Sequence, residues 1–204
     1  MKLFFVPWLL IATAQAATIS QMWDLSEVVP DNDFTGWTDT RIVTTPLTSI
    51  SLVEVHLKIS GGLNGDLYAY LRHDTGFSVL LNRVGRTELN PDGSFTSGMD
   101  VTFTTGANED IHNAGIFSGE FLSDGRETSS SAVLDTDSRT ATLSSFNGLD
   151  PNGEWTLLVA DVSPVFQSTV ESWGITIHST PEWSSMAGTG LLLAGVLFRR
   201  SRRS

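Results

Sequence analysis

The segment 146–177, FNGLDPNGEWTLLVADVSPVFQSTVESWGITI, constrains the fold more than any other stretch, because it writes two strands around one loop and sets a tryptophan in each. Successive side chains of an extended strand point to opposite faces. Trp155, Leu157 and Val159 therefore share one face of the first strand, and Trp173, Ile175 and Ile177 share one face of the second. Asp150, Pro151, Asn152 and Gly153 are turn formers that lead into the first strand. A strand with an indole on its apolar face needs a second layer to cover it. The pattern predicts one end of a β-sandwich with both tryptophans in its core.

Upstream, β-branched and aromatic runs bounded by Gly, Asn, Asp and Ser recur, and helical patterns are scarce between the termini, so the chain reads as all-β. A strand is predicted over 50–59, where Val53, Val55, Leu57 and Ile59 alternate with Glu54, His56 and Lys58. Another is predicted over 66–72, with Leu67, Ala69 and Leu71 on one side and Tyr68 and Tyr70 on the other. The run 77–84 is apolar at consecutive positions, as expected of a strand covered on both faces. Between 85 and 139 only 100–105 reads as a strand, and so long an irregular stretch predicts a functional or mobile insertion that carries partner contacts. Cysteine is absent, so the core must hold the fold without disulfides.

The pieces FNG at 146–148, NGEWTLLVAD at 152–161 and SWGITI at 172–177 stand in order behind VPDND at 29–33 and GDL at 65–67. Over 27–178 the chain resembles the P domain, or Homo B domain, which follows the catalytic domain of subtilisin-like proprotein convertases and accompanies many bacterial secreted proteases. The resemblance implies a jelly-roll-like sandwich of antiparallel strands with no chemistry of its own. It also implies an accessory role beside a protease, which here would be separately encoded. Residues 17–26 read as a lead-in to that domain.

Both ends are patterned. Lys2, a short apolar run and Ala14-Gln15-Ala16 make the three parts of a secretory signal peptide over 1–16, cut by signal peptidase after Ala16. The alternative, an N-terminal anchor, needs a longer apolar core. At the other end Pro181-Glu182-Trp183 precedes an apolar run and then Arg199, Arg200, Arg202 and Arg203. At 1.5 Å per residue the helix 183–198 would span about 24 Å, marginal for a bilayer core, with the arginines held on the cytoplasmic side. The tail 179–204 resembles the PEP-CTERM sorting signal of Gram-negative bacteria, which an exosortase-type membrane protease recognises and cuts, although Trp183 stands where the usual second proline would be. A permanent C-terminal anchor is the alternative, and either places the domain outside the inner membrane.

Removing both ends takes away five of the twelve Lys and Arg but only Glu182 of the 23 acids, leaving seven basic residues against 22 acidic ones. That sign excludes nucleic-acid partners and electrostatic docking on anionic lipid. It supplies loop carboxylates suited to calcium, which takes oxygen ligands in a flexible geometry. Asp31, Asp33, Asp66 and Asp161 are the candidate ligands. Calcium occurs in some P domains, but Phe103-Thr104-Thr105 stands where many bacterial relatives carry an aspartate pair. Ordinary turn chemistry after Pro30 is the alternative for Asp31 and Asp33.

No catalytic signature appears. The serines lie in no GxSxG, no HExxH is present, and His56, His73, His112 and His178 read as surface or loop residues. The local clusters His73-Asp74 and Glu109-Asp110 beside His112 read as solvated turns. Tyr68, Tyr70 and Trp37 are candidates for a carbohydrate platform, with packing under a loop as the alternative. The expected protein is an exported, non-enzymatic sandwich sorted to the cell envelope or extracellular matrix. Its candidate partners are a secreted protease, an envelope polysaccharide or a matrix protein.

Overall fold

The computed structural model describes residues 16–180. Ala14 and the tail residues Pro181, Glu182, Arg199, Arg200, Arg202 and Arg203 lie outside the described residues, and Ala16 at their start is exposed. Nine strands follow in order: β1 (Thr18–Val28), β2 (Asp33–Val43), β3 (Ile50–Gly61), β4 (Leu67–His73), β5 (Gly76–Asn82), β6 (Met99–Phe103), β7 (Ser118–Phe121), β8 (Gly153–Asp161) and β9 (Ser168–Ser179). They form two sheets, ordered β1-β9-β3-β6-β7 and β2-β8-β4-β5. Among the described residues the helical elements are three short 3-10 turns, so the chain is an all-β sandwich.

The strands read from alternation are all present, and β8 and β9 pair centrally in different sheets. Trp155 and Trp173 are both fully buried in a core drawn from both sheets. Each indole has its own anchor. Trp155 lies flat against His73 with ring centroids 4.1 Å apart, and its Nε1 donates to the Pro151 carbonyl at 3.0 Å. Trp173 packs on Trp23 of β1 at 4.5 Å, and its Nε1 donates across the sandwich to Asp39 of β2 at 2.8 Å.

Three features depart from the sequence reading. Residues 17–26, expected as a lead-in, contribute most of β1, which pairs antiparallel with β9 along the sheet edge. The pairing is not wholly antiparallel, since β6 and β7 run parallel from Asp100↔Ser118 to Phe103↔Phe121. The stretch 85–139 is packed against the sandwich, burying Ile111, Phe121 and Val133. It also continues the hydrogen bonding of the β5 edge, with Gly125 N donating to Val79 O at 2.9 Å and Asp124 N to Leu80 O at 3.1 Å. The signal that hid this packing is compositional: its apolar residues are isolated among Gly, Ser, Thr and Asp, too sparse to show a period.

Candidate functional site

The second sheet buries Leu67, Ala69, Leu71 and Trp155, Leu157, Val159 on its inner face. Alternation then sends Tyr68, Tyr70 and Arg72 of β4, and Glu154 and Thr156 of β8, to the outer face. Register sets Arg72 between Thr156 and Phe77, its partners on β8 and β5. Two adjoining hollows of about 610 and 600 Å³ open there and share Tyr70, Arg72 and Asp74. Asp74 sits at the β4–β5 turn with φ 49°, and that left-handed turn projects it beside the groove.

Aromatic rings form a row across this face. Phe77 and Tyr70 lie 5.2 Å apart, and Tyr70 and Tyr68 lie 6.2 Å apart at 67°. Burial raises the Tyr68 hydroxyl's pKa, and the neighbouring Tyr70, Glu127 and Asp124 add to it, so the group stays a donor at neutral pH. Tyr68 and Tyr70 are therefore brought together as the platform reading requires. Trp37 is not part of it: on β2 it packs half-buried against the core.

The carboxylates considered for calcium gather at one end of the sandwich, where Asp33 stands opposite Asp161 in register. Asp33 is taken up locally, accepting from Thr35 N at 2.8 Å and Thr35 Oγ1 at 2.7 Å, which is the turn chemistry expected after Pro30. Asp31 Oδ2 accepts from Val165 N at 3.1 Å. Asp66 faces Arg83 at 3.8 Å. Asp161 is fully buried, and its Oδ2 has no hydrogen-bond partner. Burial first, then the charges of Asp66 and Asp31, push the Asp161 carboxyl up to about 6, although Ser163 N opposes this. Burial likewise raises Asp66. Among the described residues no three acidic, imidazole or thiol groups are arranged to hold a metal ion, and Asp31 and Asp66 act on Asp161 as repelling charges in one acid corner.

The histidines are more integrated than the sequence suggested. His73 is buried, not part of a solvated turn, and its Nδ1 and Nε2 lie 2.9 and 2.7 Å from the carbonyl oxygens of Glu154 and Asp150. His112 is also fully buried, with Nδ1 2.8 Å from Asp124 Oδ2 and Nε2 2.9 Å from Arg86 O. Asp110 does not belong to a solvated turn either: it caps His112 N and pairs with Arg126 at 2.9 Å. Burial lowers the His112 pKa, but the hydrogen bond and charge of Asp124 outweigh it and leave the pKa raised. Asp124 and Arg126 were invisible as partners because they arrive from a separate part of the loop.

A hydroxyl, an imidazole and a carboxylate do line up on the first sheet: Thr18 Oγ1 is 3.0 Å from His178 Nδ1, and His178 Nε2 is 3.7 Å from Glu54 Oε2. The threonine is exposed on the edge strand β1, and neither hollow described above reaches it.

No protein-family model matches the chain, and no curated protein matches its sequence. Among solved structures it is similar to the complex of Aeromonas sobria serine protease with the chaperone ORF2, at 16% identity and TM-score 0.48, covering 82% of this chain and 28% of that one. It is similar also to the serine protease of Aeromonas sobria, at 16% identity and TM-score 0.47, covering 81% of this chain and 27% of that one. The chain thus spans under a third of the length of the proteins it matches.

Proposed function

We propose that this chain is an exported, non-catalytic sandwich module that works by binding in the cell envelope or extracellular matrix. The supporting observation is the groove on the outer face of the second sheet. Among the described residues, the side chains of Arg72, Asp74 and Glu154 that rim it have no hydrogen-bond or ion-pair partner, although their charges are opposite. Exposed charged groups gathered on one sheet face and its adjoining turn, and left without internal partners, are suited to an external one.

Export follows from the two patterned ends: signal peptidase acts after Ala16, and an exosortase-type protease reads Pro181 and Glu182 ahead of the arginine cluster. Glu182→Ala should then leave uncleaved precursor in the membrane fraction. Normal accumulation of the processed form would show that the tail is not read this way.

The binding role is tested by cross-linking the full chain in envelope preparations. Arg72→Glu should lose the captured partner, while Lys58→Glu on the other sheet should retain it. Capture that is indifferent to Arg72 would refute the groove as the working surface. A second reading, docking on a separately encoded subtilisin-like protease, rests on the P-domain resemblance of 27–178, and recovery of such an enzyme in the same experiment would select it.

A further inference from the structure

We infer that the outer groove holds a neutral oligosaccharide, with sugar rings lying along Tyr68, Tyr70 and Phe77 and their hydroxyls bonded by Arg72, Asp74 and Glu154. The inference rests on the binding-module reading above and names its ligand class. Its first support is the aromatic row. Phe77 and Tyr70 line the groove, half-buried with ring centroids 5.2 Å apart, and Tyr68 lies 6.2 Å from Tyr70 along the same strand just beyond it, so an apolar strip flanks the polar groups of the groove. A pyranose has the matching division, with C–H groups on one face and hydroxyls around the rim, and an aromatic ring with a polar tip suits both parts.

The second support is the choice of polar groups. One guanidinium and two carboxylates stand around the groove, unpaired with one another. A sugar hydroxyl donates and accepts at once, so neighbouring hydroxyls satisfy a carboxylate and a guanidinium in turn, and hydrogen bonds to charged groups are the strong ones. An anionic ligand would meet Asp74, Glu154 and a domain with 22 acids against seven basic residues. The strongly acidic domain thus favours an uncharged chain.

The third support excludes the commonest use of a sheet by a peptide. β5 is the edge strand beside the groove, yet its free edge is already bonded, with Val79 N donating to Ala141 O at 3.0 Å and accepting at Val79 O from Gly125 N at 2.9 Å. Strand addition has no place there, so the ligand is read from the face of the sheet. Hollows of about 610 and 600 Å³ joined side by side suit an extended ligand of more than one ring.

The test uses the full chain purified in mild detergent and an array of neutral and anionic oligosaccharides, followed by titration of the best neutral binder. Tyr70→Ala and Arg72→Ala should each weaken that binding tenfold or more, Lys58→Ala should leave it unchanged, and all three should melt as the parent does. No neutral oligosaccharide bound by the folded chain, or binding indifferent to Tyr70 and Arg72, would overturn the inference. Capture of a protein at the groove, lost in Arg72→Glu but not displaced by any sugar, would overturn the sugar while leaving the binding-module reading standing.

Discussion

Asp161 shows what a single buried acid does to this fold. Its folded pKa of about 6 lies above the ordinary 3.8, so the folded chain holds the proton more tightly than the unfolded one. The stability it contributes is present below the ordinary value and is lost as pH rises through about 6. That gap corresponds to on the order of 3 kcal/mol. Asp161→Asn should raise the melting midpoint at pH 7 and change it little at pH 4, a pattern that melts at the two pH values read directly. His112 has the same sign with a later window: its stabilising charge is fully present below its ordinary 6.5 and is lost as pH rises from there through its raised folded value. His112→Gln should remove the part of the stability loss that occurs above about pH 6.5, and a variant with the parent's pH profile would show that the His112 imidazole gains no stabilising charge from Asp124. Calcium offers a separate reading of the acid corner. A calcium-dependent rise in the parent's midpoint at pH 7, absent in Asp161→Asn, would assign the corner to a cation, because a ligand that binds only the folded state must stabilise it.

The strands differ in how much of their burial the sequence displays. β8 and β9 were legible because each carries large apolar side chains at every second position on the face it buries. β2 was not, because its pattern is inverted: Ile42 and Phe34 are 72% and 62% exposed, while Asp39 and Arg41 are partly buried. That inversion has a structural cause. Asp39 Oδ2 accepts from Arg41 Nε at 2.7 Å and from the Trp173 indole at 2.8 Å, and Arg41 sits 5.5 Å from the Trp23 ring. One carboxylate of the second sheet thereby fixes an indole of the first. Asp39→Ala should cost on the order of 1–3 kcal/mol, since it leaves a buried N–H without its acceptor. Urea unfolding of the variant reads this, and a loss under about 0.5 kcal/mol would mean that Trp173 finds another acceptor. Gly76 constrains β5 in a different manner. A Cβ there would lie 2.3 Å from the Phe146 ring beneath Trp155, so FNG at 146–148 and the β4–β5 turn specify each other without any signal in either alone. The groove was half legible for a related reason: Tyr68 and Tyr70 announce themselves by alternation, whereas Phe77 and Glu154 join them only through register.

The path of the chain makes the sandwich Thr18–Ser179 fold as one unit. β1, β3, β6, β7 and β9 belong to the first sheet and β2, β4, β5 and β8 to the second, so the chain changes layers six times between its ends. Neither sheet is a contiguous piece of sequence, and the first closes only when β9 inserts between β1 and β3. The core is correspondingly shared, with Trp173 and Val55 from one layer and Trp155 and Leu71 from the other in a single cluster. Such non-local pairing predicts slow folding, because loop closure precedes most of the contacts that reward it. It also predicts a single unfolding step. The Trp23–Trp173 pair reports on the first sheet and the His73–Trp155 stack on the second. In urea, the near-ultraviolet dichroism of Trp173→Phe lacks the Trp23–Trp173 pair of the first sheet but keeps the His73–Trp155 stack of the second, and that of Trp155→Phe does the reverse. Each should be lost at the same denaturant concentration as that variant's own far-ultraviolet signal. A near-ultraviolet transition that separates from the backbone transition in either variant would mean that one sheet survives without the other. The core would then be two cores, and the groove on the second sheet would stand on a layer able to loosen independently of the first.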